Sequence, residues 1–138
     1  MADPTSQNYR PTEDEPYMNE QQRDYFRRKL LNWREEILRG SNETLRQLKE
    51  EESRVADMSD WASFETERNF QLRARDRERK LLSKINEALR RIEEGTYGFC
   101  EETQEPIGLR RLEARPIATL SIEAQERHER REKTYRDD

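Results

Sequence analysis

The chain has 138 residues, of which 30% are apolar and 42% charged, with a formal net charge of −4. So little apolar material excludes a globular core of ordinary size and leaves solvated helix or disorder, with periodicity deciding between them. The acidic balance gives no whole-protein attraction to DNA or membrane, the single cysteine excludes an internal disulfide, and no apolar run reaches membrane-spanning length.

Residues 1 to 18 carry Pro4, Pro11 and Pro16 and read as an extended arm that packs on the rest through Tyr17 and Met18. Asn19 is a good helix N-cap, with Gln22 at the capping-box position. Apolar residues then recur at Phe26, Leu30, Trp33 and Ile37, continuing at Thr44 and Leu48, the spacing of one helix face. Gly40 interrupts that stripe, either weakening the helix or admitting a neighbour. A second pattern, from about Phe64 to Glu94, carries Phe70, Ala74, Leu81, Ile85, Ala88 and Ile92, widened by Leu82 and Leu89, and Gly95 ends it.

Each helix has a narrow apolar face and a charged back, so each needs the other. The expectation is an antiparallel coiled-coil hairpin over residues 19–94 with its tip near 54–63. About 30 residues per helix at about 1.5 Å each gives a rod near 45 Å, the form of a probe. Residues 95–120 follow with turn signals and a small apolar set (Phe99, Ile107, Leu109, Leu112, Ile117, Leu120), joined by Ile122, and a charged helix begins at Ser121 and leads into the tail at 138. The fold class is therefore mostly α: a hairpin on a small base, with a C-terminal helix.

Charge is segregated along the hairpin. Lys49 to Glu67 holds seven acidic and two basic residues, a net of −5, whereas Phe70 to Arg91 holds eight basic and three acidic, a net of +5. Arg77, Lys80 and Lys84 share a face and, with Arg115, could hold a phosphorylated ligand. At the tip, Asp57 and Asp60 precede Trp61 and Ala62. Two carboxylates there could cap a helix, bind a divalent cation or meet a basic partner, and Met58 and Trp61 suggest contact with a partner surface. His128 reads as a surface residue. A nucleophile–base pair, a Gly-rich phosphate loop and a full metal-ligand set are all missing from the sequence, so an enzyme is not expected.

Cys100 stands in "GFCEETQEPIG", where a metal knuckle would place a second cysteine three residues on, but that position is Thr103. The surrounding segments "EPYMNEQQRDYFRRKL", "RNFQLRARDRERKLLSKI" and "YGFCEETQEPIGLRRLEARPIATLSIEA", with the tip pattern D-x-x-D-x-A, span roughly residues 15–135. On these the chain resembles the DksA family of bacterial transcription factors. The resemblance implies a zinc-finger-like base in which the family's four ligand cysteines fall on Cys100, Thr103, Ser121 and Ala124. Hydroxyls are poor zinc ligands and Ala cannot coordinate, so the expectation is a variant without structural zinc.

The resemblance further implies a cytoplasmic, monomeric factor that docks on RNA polymerase and inserts its coiled coil into the secondary channel. Such a factor destabilises open complexes, inhibits ribosomal RNA promoters and stimulates amino-acid biosynthesis promoters. Asp57, Asp60 and Ala62 fall on the tip positions, and Arg77, Leu81, Lys84 and Arg115 on those contacting the polymerase and the effector ppGpp. Where other members place a Lys at the nucleotide site, this chain has Gln125. The competing expectations are a Gre-like transcript-cleavage or anti-elongation factor, whose tip carboxylates help hold magnesium, a plain coiled-coil scaffold, and a DNA-binding repressor. The D-x-x-D-x-A tip and the "EARP" base weigh against the first, the motif series against the second and the acidic net charge against the third, with neither independent DNA binding nor membrane association expected.

Overall fold

The computed structural model describes residues 8–56 and 61–137. Four helices make up most of it: α1 (Glu20–Ala56), α2 (Trp61–Glu94), α3 (Leu109–Ala114) and α4 (Ile122–Asp137). The chain divides into two compact units, Leu31–Asn86 and the combination of Met1–Leu30 with Glu87–Asp138.

The first turn of α1 is fixed by its sequence. Asn19 Oδ1 accepts from the N–H of Gln22 at 2.8 Å, while Gln22 Oε1 accepts from the N–H of Met18, also at 2.8 Å. This is a capping box shifted by one residue, because the Asn19 N–H is already bound to the Pro16 carbonyl. Met18 takes the left-handed conformation at φ 54, which turns the arm into the helix.

The unit containing both chain ends buries Phe26, Leu30, Ile92 and Leu112 almost completely. Tyr17 ties the arm to it, donating to the Gly98 carbonyl at 2.6 Å and accepting from the Gly108 N–H at 3.0 Å. Gly98 has to be glycine: its φ is 90, and a Cβ would lie 2.9 Å from Met18 Cγ. Tyr9 is buried as well and donates to Glu15 Oε2, which also accepts from the amide of Gln22. On the other side, Lys29 Nζ bonds both the backbone carbonyl and the carboxylate of Glu113, joining α1 to the short α3.

In the Leu31–Asn86 unit, α1 and α2 run antiparallel, with Arg34 Nη1 donating to Asn86 Oδ1 at 2.9 Å. Trp33, Ile37, Ser41, Thr44 and Leu48 of α1 and Gln71, Ala74, Glu78 and Leu81 of α2 are half-buried, while Phe64 and Ile85 are buried. Their spacing of three and four is that of a coiled-coil seam. Three details of the sequence reading are revised or decided. Phe70, expected in the apolar stripe, is 66% exposed, and its neighbour Gln71 faces inward instead. Gly40 has nothing within 4 Å of where a Cβ would stand, so it admits no neighbour, and α1 continues through it. Ile122, expected in the base core, is 52% exposed at the first position of α4, and Ala124 packs inward in its place.

Candidate functional site

The loop between α2 and α3 folds back as a narrow turn. Ile107 donates to the Gly98 carbonyl and Cys100 to that of Glu105, both at 2.8 Å, while Phe99 and Pro106 form a bridge. Gln104, at φ 60, reverses the chain and returns its N–H to the Cys100 carbonyl. The Glu101 N–H reaches across to the Thr119 carbonyl at 2.9 Å, and Arg111 Nε donates to the Leu120 carbonyl. The buried Tyr97 hydroxyl donates to the Pro116 carbonyl at 2.8 Å.

These bonds bring the four positions of interest together around one thiol. Cys100 is 1% exposed. Its burial raises the thiol pKa, but the N–H of Ser121, the Thr103 hydroxyl and the N–H groups of Thr103 and Glu102 outweigh that and bring it from 9.0 down to about 6. Thr103 also accepts from the Glu105 N–H, holding the turn. Ser121 has become the N-cap of α4: its hydroxyl accepts from the N–H of Ala124 at 3.2 Å and its carbonyl from that of Gln125. Ala124 is fully buried and supplies packing alone. A four-thiolate zinc site needs four sulfurs and tetrahedral geometry. One thiol, two hydroxyls already engaged and a methyl do not fit that requirement, and the described residues hold no cluster of three or more metal-ligating side chains.

The depressed thiol pKa has a measurable consequence. Between pH 6 and 9 the unfolded chain keeps the Cys100 proton and the folded chain releases it, so stability rises with pH across that window and is lost as pH falls through about 6. Urea denaturation of the wild type and of Cys100→Ser at pH 5.5, 7.5 and 9 is expected to show a stability difference that shifts in favour of the wild type as pH rises. A difference independent of pH would mean that the thiolate contributes nothing.

On α2, Arg77 and Lys84 are exposed and Leu81 is half-buried in the seam. Arg115 is exposed immediately after α3, in the other unit, with its N–H on the Arg111 carbonyl at 2.7 Å. Asp57 and Asp60 lie outside the described residues. Ala62 sits in the first turn of α2, one residue after the helix begins at Trp61. Gln125 donates to Glu129 along α4. His128 is half-exposed and pairs with Glu102, which also faces Arg127 at 3.7 Å. Sequence periodicity overlooked the pairing of Arg91 with Glu101, which ties the end of α2 to the Cys100 turn. No described helix is long and apolar enough to cross a membrane.

The sequence family described as the DksA N-terminal domain, "DnaK suppressor protein DksA", matches residues 22–92, and the prokaryotic dksA/traR C4-type zinc finger matches residues 95–130. A relative from Caulobacter vibrioides (strain NA1000 / CB15N), named RNA polymerase-binding transcription factor DksA, is 65% identical over 130 residues. The match covers 94% of this chain and 92% of the relative. The chain belongs to the DksA family. The Escherichia coli K12 DksA of the same name is 42% identical over 125 residues, covering 91% of this chain and 83% of its own. Among solved structures, DksA2 from Pseudomonas aeruginosa is 50% identical with a TM-score of 0.81, covering 87% of this chain and 95% of its own. That likeness agrees with the DksA fold seen here: a helical hairpin, a small base and a C-terminal helix.

Proposed function

We propose that this chain is a cytoplasmic, non-enzymatic transcription factor that binds RNA polymerase, inserts its hairpin into the secondary channel and destabilises open promoter complexes. The observation that carries this reading is the near-full-length similarity to relatives named RNA polymerase-binding transcription factor DksA. In this scheme residues 1–18 are the arm that packs on the base, 19–94 form the probe, 95–120 the base and 121–138 the final helix and tail. The factor acts as a monomer, without independent DNA binding. Asp57, Asp60 and Ala62 are the acting tip, and Arg77, Leu81, Lys84 and Arg115 contact the polymerase and ppGpp.

The base holds its shape without structural zinc, through the Cys100 hydrogen bonds, the Ser121 cap and the packing of Ala124. Stoichiometric zinc in the purified protein would overturn that part of the reading.

Transcription from a ribosomal RNA promoter with purified polymerase tests the whole. The wild type is expected to inhibit, and ppGpp to deepen the inhibition. Lys84→Ala or Arg115→Ala removes one charge-assisted phosphate contact, worth about 1.5–3 kcal/mol. Each variant should therefore need roughly ten- to a hundredfold more ppGpp for the same effect while still binding polymerase. Variants that follow the wild-type titration would remove these residues from the effector site, and a wild type without effect on the promoter would remove the functional reading.

A further inference from the structure

The hairpin unit inverts the usual burial preference at two adjacent residues. Phe70 is 66% exposed while Gln71 turns into the seam, where its Oε1 is buried without a hydrogen-bond partner. Two turns further along the same seam, Glu78 buries Oε2 in the same unpartnered state. Exposing a phenyl ring and burying orphan polar atoms both work against the stability of the hairpin itself. An outward Phe70 is understandable if its surface is covered by something other than this chain.

What surrounds Phe70 indicates the chemistry of that cover. Arg73, Arg77, Lys80 and Lys84 follow it at steps of three and four, so all five line one side of α2, and all five are exposed. None of the five positions is acidic, and the carboxylate bordering the line, Asp76, lies 4.0 Å from Arg79. Among the described residues none of these four cations has a side-chain ion pair or hydrogen bond, a state they share with Arg39, Lys49, Arg68 and Arg75, whereas Arg46, Arg54 and Arg90 are paired within the chain. At its tipward end the ring borders an open depression lined by Ser63, Thr66 and Glu67.

We propose that Phe70 is an apolar anchor of the polymerase-binding surface, seated in an apolar socket within an acidic patch of RNA polymerase that the cationic line of α2 faces. The inference rests on the functional reading above and deepens it. Charge complementarity selects an acidic partner: four unpaired cations beside one apolar ring match carboxylates around a socket. A nucleic-acid strand would also take cations and a ring, but stacking platforms use several aromatic side chains in succession, and among the described residues Phe70 is the one aromatic side chain on its face of α2, with Glu67 at its edge.

The test is equilibrium binding of the full-length chain to RNA polymerase, comparing wild type, Phe70→Ala and Phe70→Leu. Phe70→Ala is expected to weaken binding about tenfold, as loss of one buried anchor does. Phe70→Leu should keep most of the affinity, because the socket recognises apolar volume. Raising the salt concentration should weaken all three through the cations while the ratio between wild type and Phe70→Ala holds, since an apolar contact is not screened. Unchanged helix content and thermal midpoint in both variants would confirm that the loss belongs to the interface.

Phe70→Ala binding like the wild type overturns the proposal and leaves the functional reading intact. A wild type that does not bind polymerase overturns both. Wild-type binding to a single-stranded oligonucleotide that Phe70→Ala abolishes, with polymerase binding unchanged, assigns the ring to nucleic acid and overturns it as well.

Discussion

Phe26→Ala is expected to destabilise the unit that carries both chain ends by about 3–5 kcal/mol, the usual cost of truncating a fully buried phenylalanine. Phe26 has no exposed surface, and its ring packs edge-on against Tyr25 at 5.1 Å and tilted against Tyr97 at 5.7 Å. Few other large side chains in that unit are as completely buried: Leu30, Ile92 and Leu112 do most of the remaining packing. A domain of this size has about 5–15 kcal/mol in total, so losing one ring removes a large share of it. The Tyr97 hydroxyl also bonds the Pro116 carbonyl, so a cavity at Phe26 loosens the ring that closes the base. Urea denaturation gives the size of the effect, and hydrogen exchange gives its place: amides around Tyr97, Cys100 and Leu112 should lose protection. Phe70→Ala provides the contrast, with a change within about 0.5 kcal/mol, because its ring is outside any core. Equal effects at the two phenylalanines would contradict the assignment of their faces.

The two phenylalanines also show how far the sequence could be read. The start of α1 was legible because its signals are local: Asn19 and Gln22 act on backbone groups within a few residues. The end of α2 was legible for the same reason, with Gly95 adopting φ 83 after Glu94. The face of α2 was misread at Phe70 because the seam is not purely apolar. Gln71 and Glu78 occupy inward positions, and hydrophobic periodicity assigns such positions to the nearest apolar residue instead.

The Cys100 site was legible as a set of positions and illegible as a structure. Nothing in the spacing says that the Ser121 N–H and the Thr103 hydroxyl converge on the thiol, since those bonds depend on a turn closed by pairs as distant as Glu101 and Thr119. Tyr17 was readable as a docking residue, but its bonds to Gly98 and Gly108 span more than 80 residues of sequence. The short α3 carries too few residues for periodicity to register.

Asp60→Asn is expected to reduce inhibition of a ribosomal RNA promoter at least tenfold while leaving polymerase binding within about threefold of wild type. The substitution isolates charge from shape. Asn has the size of Asp and caps a helix about as well, so α2 should still begin at Trp61. What disappears is one negative charge, and in a site shielded from water a charged contact is worth about 2–5 kcal/mol when one partner is removed. Six other acidic residues remain between Lys49 and Glu67, so the field that guides the tip toward basic surfaces is largely preserved. Affinity should therefore rest on the cationic line of α2 and on Phe70, and activity on the tip, which makes the two separable in one experiment. A competition binding assay run beside the transcription assay measures both. If Asp60→Asn inhibits as well as wild type, the acting group is another tip residue and the carboxylate serves at most as a cap. If it fails to bind, the tip supplies affinity, and the separation of binding from action along the hairpin is wrong.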